Sequence, residues 1–152
     1  MSAVPGSVTD EAMLETGSTT DIVGYRLRRA QLSVFQRFLA AFEALDLRPA
    51  EYSALALIGD NPGRKQTEIA EILGIKRANF VALINGLDGR GLTERRAARE
   101  DRRANALYLT TDGARFLEKA RAVQDDFEAD CITRLGGPKA RDTLLDLLGR
   151  LC

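Results

Sequence analysis

The chain has no histidine, no tryptophan, and only two cysteines and four prolines among its 152 residues. No apolar run approaches the ~20 residues that span a bilayer. Cys131 and Cys152 are too few and too far apart for a zinc site, and no histidine can complete one, so no metal is expected. Without histidine, no serine or cysteine has an obvious base beside it, and no glycine-rich phosphate loop appears. The chain is therefore expected not to be an enzyme and to need no cofactor. Cys131 reads as a half-buried structural cysteine, with a redox role left open. The first 20 residues lack both a basic start and an apolar stretch, so no secretion signal is read and a cytoplasmic protein is expected.

Neither charge sign is in excess: 22 basic residues face 22 acidic ones. A zero balance first argues against a nucleic-acid partner, but the distribution is uneven. Residues 1–63 sum to −3, residues 64–103 to +4 and residues 104–152 to −1. Phosphate attraction depends on the local patch, not the total. The plain alternative for the central segment is a solvated charged face.

With 45% apolar and 29% charged residues, the chain reads as a soluble single domain. Residues 1–20 show no periodicity and read as a flexible tail. Asp21 is placed to cap a long helix. In it, Leu27, Ala30, Val34, Phe38, Ala41 and Leu45 form one stripe, and Leu32, Phe35, Leu39 and Phe42 a second. One stripe suffices to face a core, so two predict packing on the chain's own domain and on a partner chain. Pro49 opens another helix, which Asn61-Pro62-Gly63 ends. Residues 92–96 and 105–110 read as the arms of a β-hairpin. Thr111 is placed to cap a helix of about 20 residues, and a final leucine-rich helix follows Gly136-Gly137-Pro138.

Residues 66–85, QTEIAEILGIKRANFVALIN, read as a helix-turn-helix. Ala70 is small where the helices cross, and Gly74 tolerates the positive φ of the turn. Ile69, Leu73, Ile75, Phe80 and Leu83 stand where the two helices must lock. Packing Phe80, Leu83, Ile84 and Leu87 inward leaves Ala78, Asn79, Ala82 and Asn85 on the opposite face, with Lys76 and Arg77 at its start. Small residues admit close approach to bases, Asn79 can pair with adenine, and Arg77 can pair with guanine. Lys65 and Gln66 open the first reader helix. The hairpin tip, AAREDRRAN, is read with Arg95, Arg96, Arg99, Arg102 and Arg103, and with Asp101 bracing Arg103 for a minor groove. For each of these residues the alternative is solvent exposure alone.

Together, TEIAEILGIKRANFVALINGLDGRGLTERR, the hairpin REDRRANALYLTTDG and the flanking long helices resemble the MarR family of winged-helix transcription regulators. The resemblance covers 21–151, and its most specific element is Asp101-Arg102-Arg103 followed by an apolar strand and Leu109-Thr110-Thr111-Asp112-Gly113. It implies a mainly α fold with a small β-hairpin wing: a winged helix-turn-helix over 48–110, with dimerisation helices over 21–47 and 111–152. It implies a homodimer on a pseudo-palindromic duplex, and a repressor released by a small aromatic or anionic effector. Lys65 and Lys76 depart from the family, which often has Ser, Thr or Asp there. Lysine cannot accept a capping hydrogen bond, so those helix starts are expected to fray or to meet phosphate. The reactive cysteine of the family's peroxide-sensing branch is absent near the first helix.

Residues 24–31, GYRLRRAQ, resemble the branch that regulates hydroxycinnamate catabolism and senses coenzyme A thioesters. Arg26, Arg28 and Arg29 would then meet coenzyme A phosphates, while Tyr25, Phe38, Phe42 and Tyr52 would line an apolar slot. Ordinary core aromatics and solvated arginines are the alternative. A regulator answering a free phenolic ligand, and a winged-helix protein–protein adaptor, remain as competing functions.

Overall fold

Helices in this chain follow its apolar spacing, and the tight connections between them follow glycine. The computed structural model describes residues 17–98 and 103–152. The chain divides into two units, 1–34 and 35–152, with the boundary inside one helix. In the first unit, a single turn α1 (Gly17–Thr20) precedes α2 (Val23–Ala41). Two sequence expectations change here. The last residues of the expected tail are helical, and Asp21 stands two positions ahead of α2 rather than at its cap. Ile22, Val23, Leu27, Leu32 and Val34 are all substantially exposed.

The second unit begins with the end of α2. The long helix expected to reach Leu45 stops at Ala41 and tightens into a 3-10 turn, Glu43–Leu45. Asp46 then adopts a left-handed conformation at φ 45°. Arg90 donates to the Leu45 and Asp46 carbonyls at 2.8 Å each, so the turn's exposed acceptors have partners. The unit continues through α3 (Pro49–Asp60), α4 (Gln66–Ile72), α5 (Arg77–Gly89), β1 (Thr93–Ala97), β2 (Asn105–Leu109), α6 (Thr111–Leu135) and α7 (Pro138–Gly149). Phe42, Leu55, Ile58, Ile69, Phe80, Ile84, Leu87 and Leu107 are fully buried, so α3, α4, α5 and the hairpin share one core. α7 contributes little to it: Leu144, Leu145 and Leu147 are exposed, as is Leu151 just beyond.

The strands pair antiparallel, with Thr93 opposite Leu109, Arg95 opposite Leu107 and Ala97 opposite Asn105. The segment after α3 adds to this ladder, an addition that alternation in sequence does not announce. Gly63 N–H donates to Leu107 O and Leu107 N–H to Arg64 O, both at 2.9 Å, and Lys65 bridges to Ala106. The start of α4 is thereby tied to the wing. Gly63 holds φ +84° there, where a Cβ would meet the Tyr108 hydroxyl at 2.7 Å.

Thr110, not Thr111, caps α6: its Oγ1 accepts from Gly113 N–H at 2.9 Å and donates to Gly91 O at 2.5 Å. Leu92 O accepts from Thr110 N–H at 3.1 Å, which brings the Leu92 backbone directly over Gly113. A Cβ at Gly113 would sit 1.8 Å from Leu92 O. Gly113→Ala must therefore shift backbone, not a side chain. It is expected to destabilise the protein by about 3 kcal/mol, read as a lowered urea midpoint at unchanged slope; an unchanged midpoint would show that the hairpin–α6 junction yields freely.

Candidate nucleic-acid interface

The reader helix α5 is oriented by its buried side. Phe80, Ile84 and Leu87 are fully buried at spacings of four and three, as the period of a helix requires. Ala78, Asn79, Ala82 and Asn85 are consequently exposed, together with Lys76 and Arg77 at the helix start. Ala70 is buried, and Gly74 takes φ +63° in the turn, with Gly74 N–H donating to Glu71 O and Ile75 N–H to Ala70 O at 3.0 Å.

The start of α4 does not fray for lack of a cap. Glu68 Oε2 accepts from Lys65 N–H at 2.8 Å and Glu68 N–H donates to the Lys65 carbonyl at 3.0 Å, so the glutamate three residues on ties the helix start while the lysine side chain caps nothing. The same device opens α3, where Glu51 Oε2 accepts from Arg48 N–H at 2.8 Å. Lys65 itself is half-buried. Lys76 gives α5 no side-chain cap.

Arg95 lies in β1, as the strand arm over 92–96 expects, and not at the hairpin tip with which it is also read. Its guanidinium joins three elements. Nε donates to Gln66 Oε1 of α4 at 3.1 Å, one terminal nitrogen donates to Asn85 Oδ1 of α5 at 2.7 Å, and the other pairs with Asp88 Oδ2 at 2.6 Å. Asp88 also accepts from the buried Thr93 hydroxyl. Arg96 is likewise in β1, paired with Glu94 and stacked 4.3 Å over the Tyr108 ring. Arg95 holds the wing to its neighbours, whereas the contacts of Arg96 stay within the wing.

A cleft of about 590 Å³ opens between α4, α5 and the wing. Lys65, Gln66, Arg77, Asn85, Arg95 and Arg103 all line it, so six residues singled out from the sequence share one surface. Lys76 just before α5, and Ala78, Asn79 and Ala82 on it, are exposed outside that lining. Arg99, Asp101 and Arg102, with the proposed brace on Arg103, lie outside the described residues. The cleft is positive and its edges carry amides: chemistry suited to phosphate oxygens and base edges.

The residues assigned to an effector distribute differently. Tyr25, Arg26, Arg28 and Arg29 are exposed in the first unit. In the second, Phe38 and Phe42 stack with ring centroids 4.0 Å apart and planes 7° from parallel. Phe127 meets Phe38 edge-on at 5.6 Å, and Tyr52 lies 5.7 Å from Phe42. Phe38 and Phe42 are buried, so here they fill core rather than line an open slot. Tyr52 is half-buried, and burial pushes its phenol above the ordinary value against the pull of nearby Arg121. Arg121 is itself held by Asp60 at 2.5 Å.

Comparison with known proteins agrees with this geometry. A MarR family model matches residues 45–104. A protein named for transcriptional regulation of the hcr operon in Thauera aromatica is 31% identical over 144 residues, covering 94% of this chain and 86% of the relative. The repressor CouR bound to a 23-mer DNA duplex superposes with TM-score 0.86 at 43% identity, over 92% of this chain and 99% of CouR. CouR bound to p-coumaroyl-CoA gives 0.83 at 41%, over 91% and 97%. The chain belongs to the MarR family of transcriptional regulators.

Arg95→Met removes the charged donors while keeping apolar bulk. It is expected to leave the protein folded but less stable by about 2 kcal/mol, the scale of hydrogen bonds to charged groups, as a drop in thermal midpoint with helical circular dichroism retained. No change in midpoint would mean that the wing holds its place without this guanidinium.

Proposed function

We propose that this chain is a homodimeric, cytoplasmic repressor that binds a pseudo-palindromic operator and is released by an aromatic acyl-coenzyme A thioester of the hydroxycinnamoyl type. The observation that carries the DNA half is the shared cleft, which Lys65, Arg77 and Arg103 line together with Gln66 and Asn85. α5 would lie in a major groove and the wing beside the adjacent minor groove, with two copies about 34–36 Å apart along the duplex. Dimerisation is supported by the apolar residues exposed in the first unit and, separately, by those on α7. An isolated soluble chain rarely leaves large contiguous apolar surface open. Among the described residues, no helix is long and apolar enough to cross a membrane.

The effector half rests on likeness to CouR, which has been seen with p-coumaroyl-CoA, and on the exposed Arg26, Arg28 and Arg29, suited to phosphates. A thioester need only favour one spacing of the two readers over the other. A coupling of about 1–3 kcal/mol would change operator affinity about 5–150-fold.

Fluorescence anisotropy with duplex from upstream of the chain's own gene tests both halves. Specific binding should appear without effector and weaken at least five-fold with p-coumaroyl-CoA; binding no tighter than to random duplex would refute the repressor, and indifference to acyl-CoA compounds would refute the effector. A second expectation concerns salt. Each phosphate contact contributes about 0.9 to the slope of log affinity against log salt, so Arg77→Ala and Arg103→Ala should each lower it by about one, and an unaltered slope in both would place the phosphates elsewhere.

A further inference from the structure

We infer that Arg95 sets the hydrogen-bonding polarity of the reading edge: by holding the amide oxygens of Gln66 and Asn85, it turns both side chains toward DNA as donors. The inference rests on the DNA-binding function proposed above and adds what that surface selects.

An amide side chain carries an acceptor oxygen and a donor NH₂, and nothing in its own shape decides which faces a ligand. A guanidinium carries five N–H donors and no acceptor. Placed against Arg95, an amide can offer only its oxygen, since the opposite flip sets N–H against N–H. Both neighbours do so, Gln66 Oε1 at 3.1 Å from Nε and Asn85 Oδ1 at 2.7 Å from a terminal nitrogen. Asp88, at 2.6 Å on the remaining nitrogen and engaged by Thr93, keeps the guanidinium from turning away. All three of Gln66, Asn85 and Arg95 line the cleft.

This matters for base reading. Asparagine recognises adenine by donating to N7 while its oxygen accepts from the N6 amino group. At Asn85 that oxygen already receives a charged donor, so an adenine amino group would have to share it with a cation. Guanine O6 and N7, thymine O4 and phosphate oxygens ask only for donors, which the NH₂ group supplies. Asn79, also exposed on α5, lies outside this clamp and keeps both halves of its amide. Arg95 is thus a positioning residue, acting on DNA through two amides on two helices.

The test uses the full-length chain and a duplex pool with a randomised core, followed by anisotropy on the selected sites. Asn85→Ala should weaken the wild-type site about ten-fold, the scale of one specific contact. If the contact is to a base edge, one position preferring guanine or thymine loses its preference, and Arg95→Met admits adenine there. If it is to a phosphate oxygen, affinity falls evenly with the selected sequence unchanged. Either result supports donor-only reading. The inference is overturned if the position controlled by Asn85 prefers adenine or cytosine in the wild type, if Arg95→Met keeps the wild-type preference at a base that Asn85 controls, or if Asn85→Ala changes neither affinity nor sequence. A wild-type chain that enriches no sequence and shows no salt-dependent affinity instead removes the DNA-binding function itself. Loss of stability alone would lower affinity but would not exchange one base for another.

Discussion

Burial of one side of α5 is the constraint from which the interface follows. Phe80, Ile84 and Leu87 must all enter the core, and on a helix of 3.6 residues per turn that fixes the rotation about its axis. Each such side chain contributes about 1.5–3 kcal/mol when withdrawn from water, far more than any single exposed polar contact. The core therefore decides which residues face outward, and the outward set of Asn79, Ala82 and Asn85 cannot turn inward without unfolding the domain. Recognition is in this sense a by-product of packing.

Packing fixes the rotation of α5 and, through Leu92 and Leu107, seats the hairpin in the same core. Polar and charged contacts at the base of the hairpin add to that seat. The Gly63–Lys65 segment ladders onto β2 and Arg95 joins β1 to α4 and α5, while inside the hairpin Arg96 stacks on the Tyr108 ring. Arg95 and Asp88 are only about one quarter exposed, 26% and 25%, so their pairing is shielded from salt more than a surface bridge would be. Arg121 with Asp60 and Arg37 with Asp130 are more open pairs, adding less to rigidity. Among the described residues, Arg95 is thus the partly buried cation that joins helix to wing.

What could be read in advance was whatever repeats with a structural period. The helix-turn-helix, the facing of α5 and the hairpin all rest on spacing, and spacing survives without coordinates. Contacts between distant segments do not. Arg95 appeared as one of several tip arginines because nothing local distinguishes an arginine that meets Gln66, 29 residues earlier, from one that meets solvent. The glutamates at 51 and 68 were legible in principle, since a carboxylate three residues into a helix is a capping signal whatever residue precedes the helix. The one-residue shift from Thr111 to Thr110 goes with the bonds Thr110 makes to the Gly91 and Leu92 carbonyls, partners that local spacing does not announce. Phe38 and Phe42 had the composition of a ligand slot and proved to be each other's packing partners; aromatic spacing cannot separate a filled space from an empty one.

Charge distribution completes the argument for a regulator that must let go. A strongly basic chain would hold any duplex through phosphates alone, and specificity would sink beneath non-specific binding. Here the net charge is zero, while the reader segment is positive and its flanks negative. Several of that segment's cations are also committed internally: Arg90 to the turn after α2, Arg95 to its three partners, Arg96 to Glu94 and Tyr108. Fewer arginines are left for phosphate than the composition suggests, which keeps the non-specific contribution small. A modest electrostatic hold is what an effector coupling of about 1–3 kcal/mol can overcome; a stronger one would leave the readers bound whatever the ligand did.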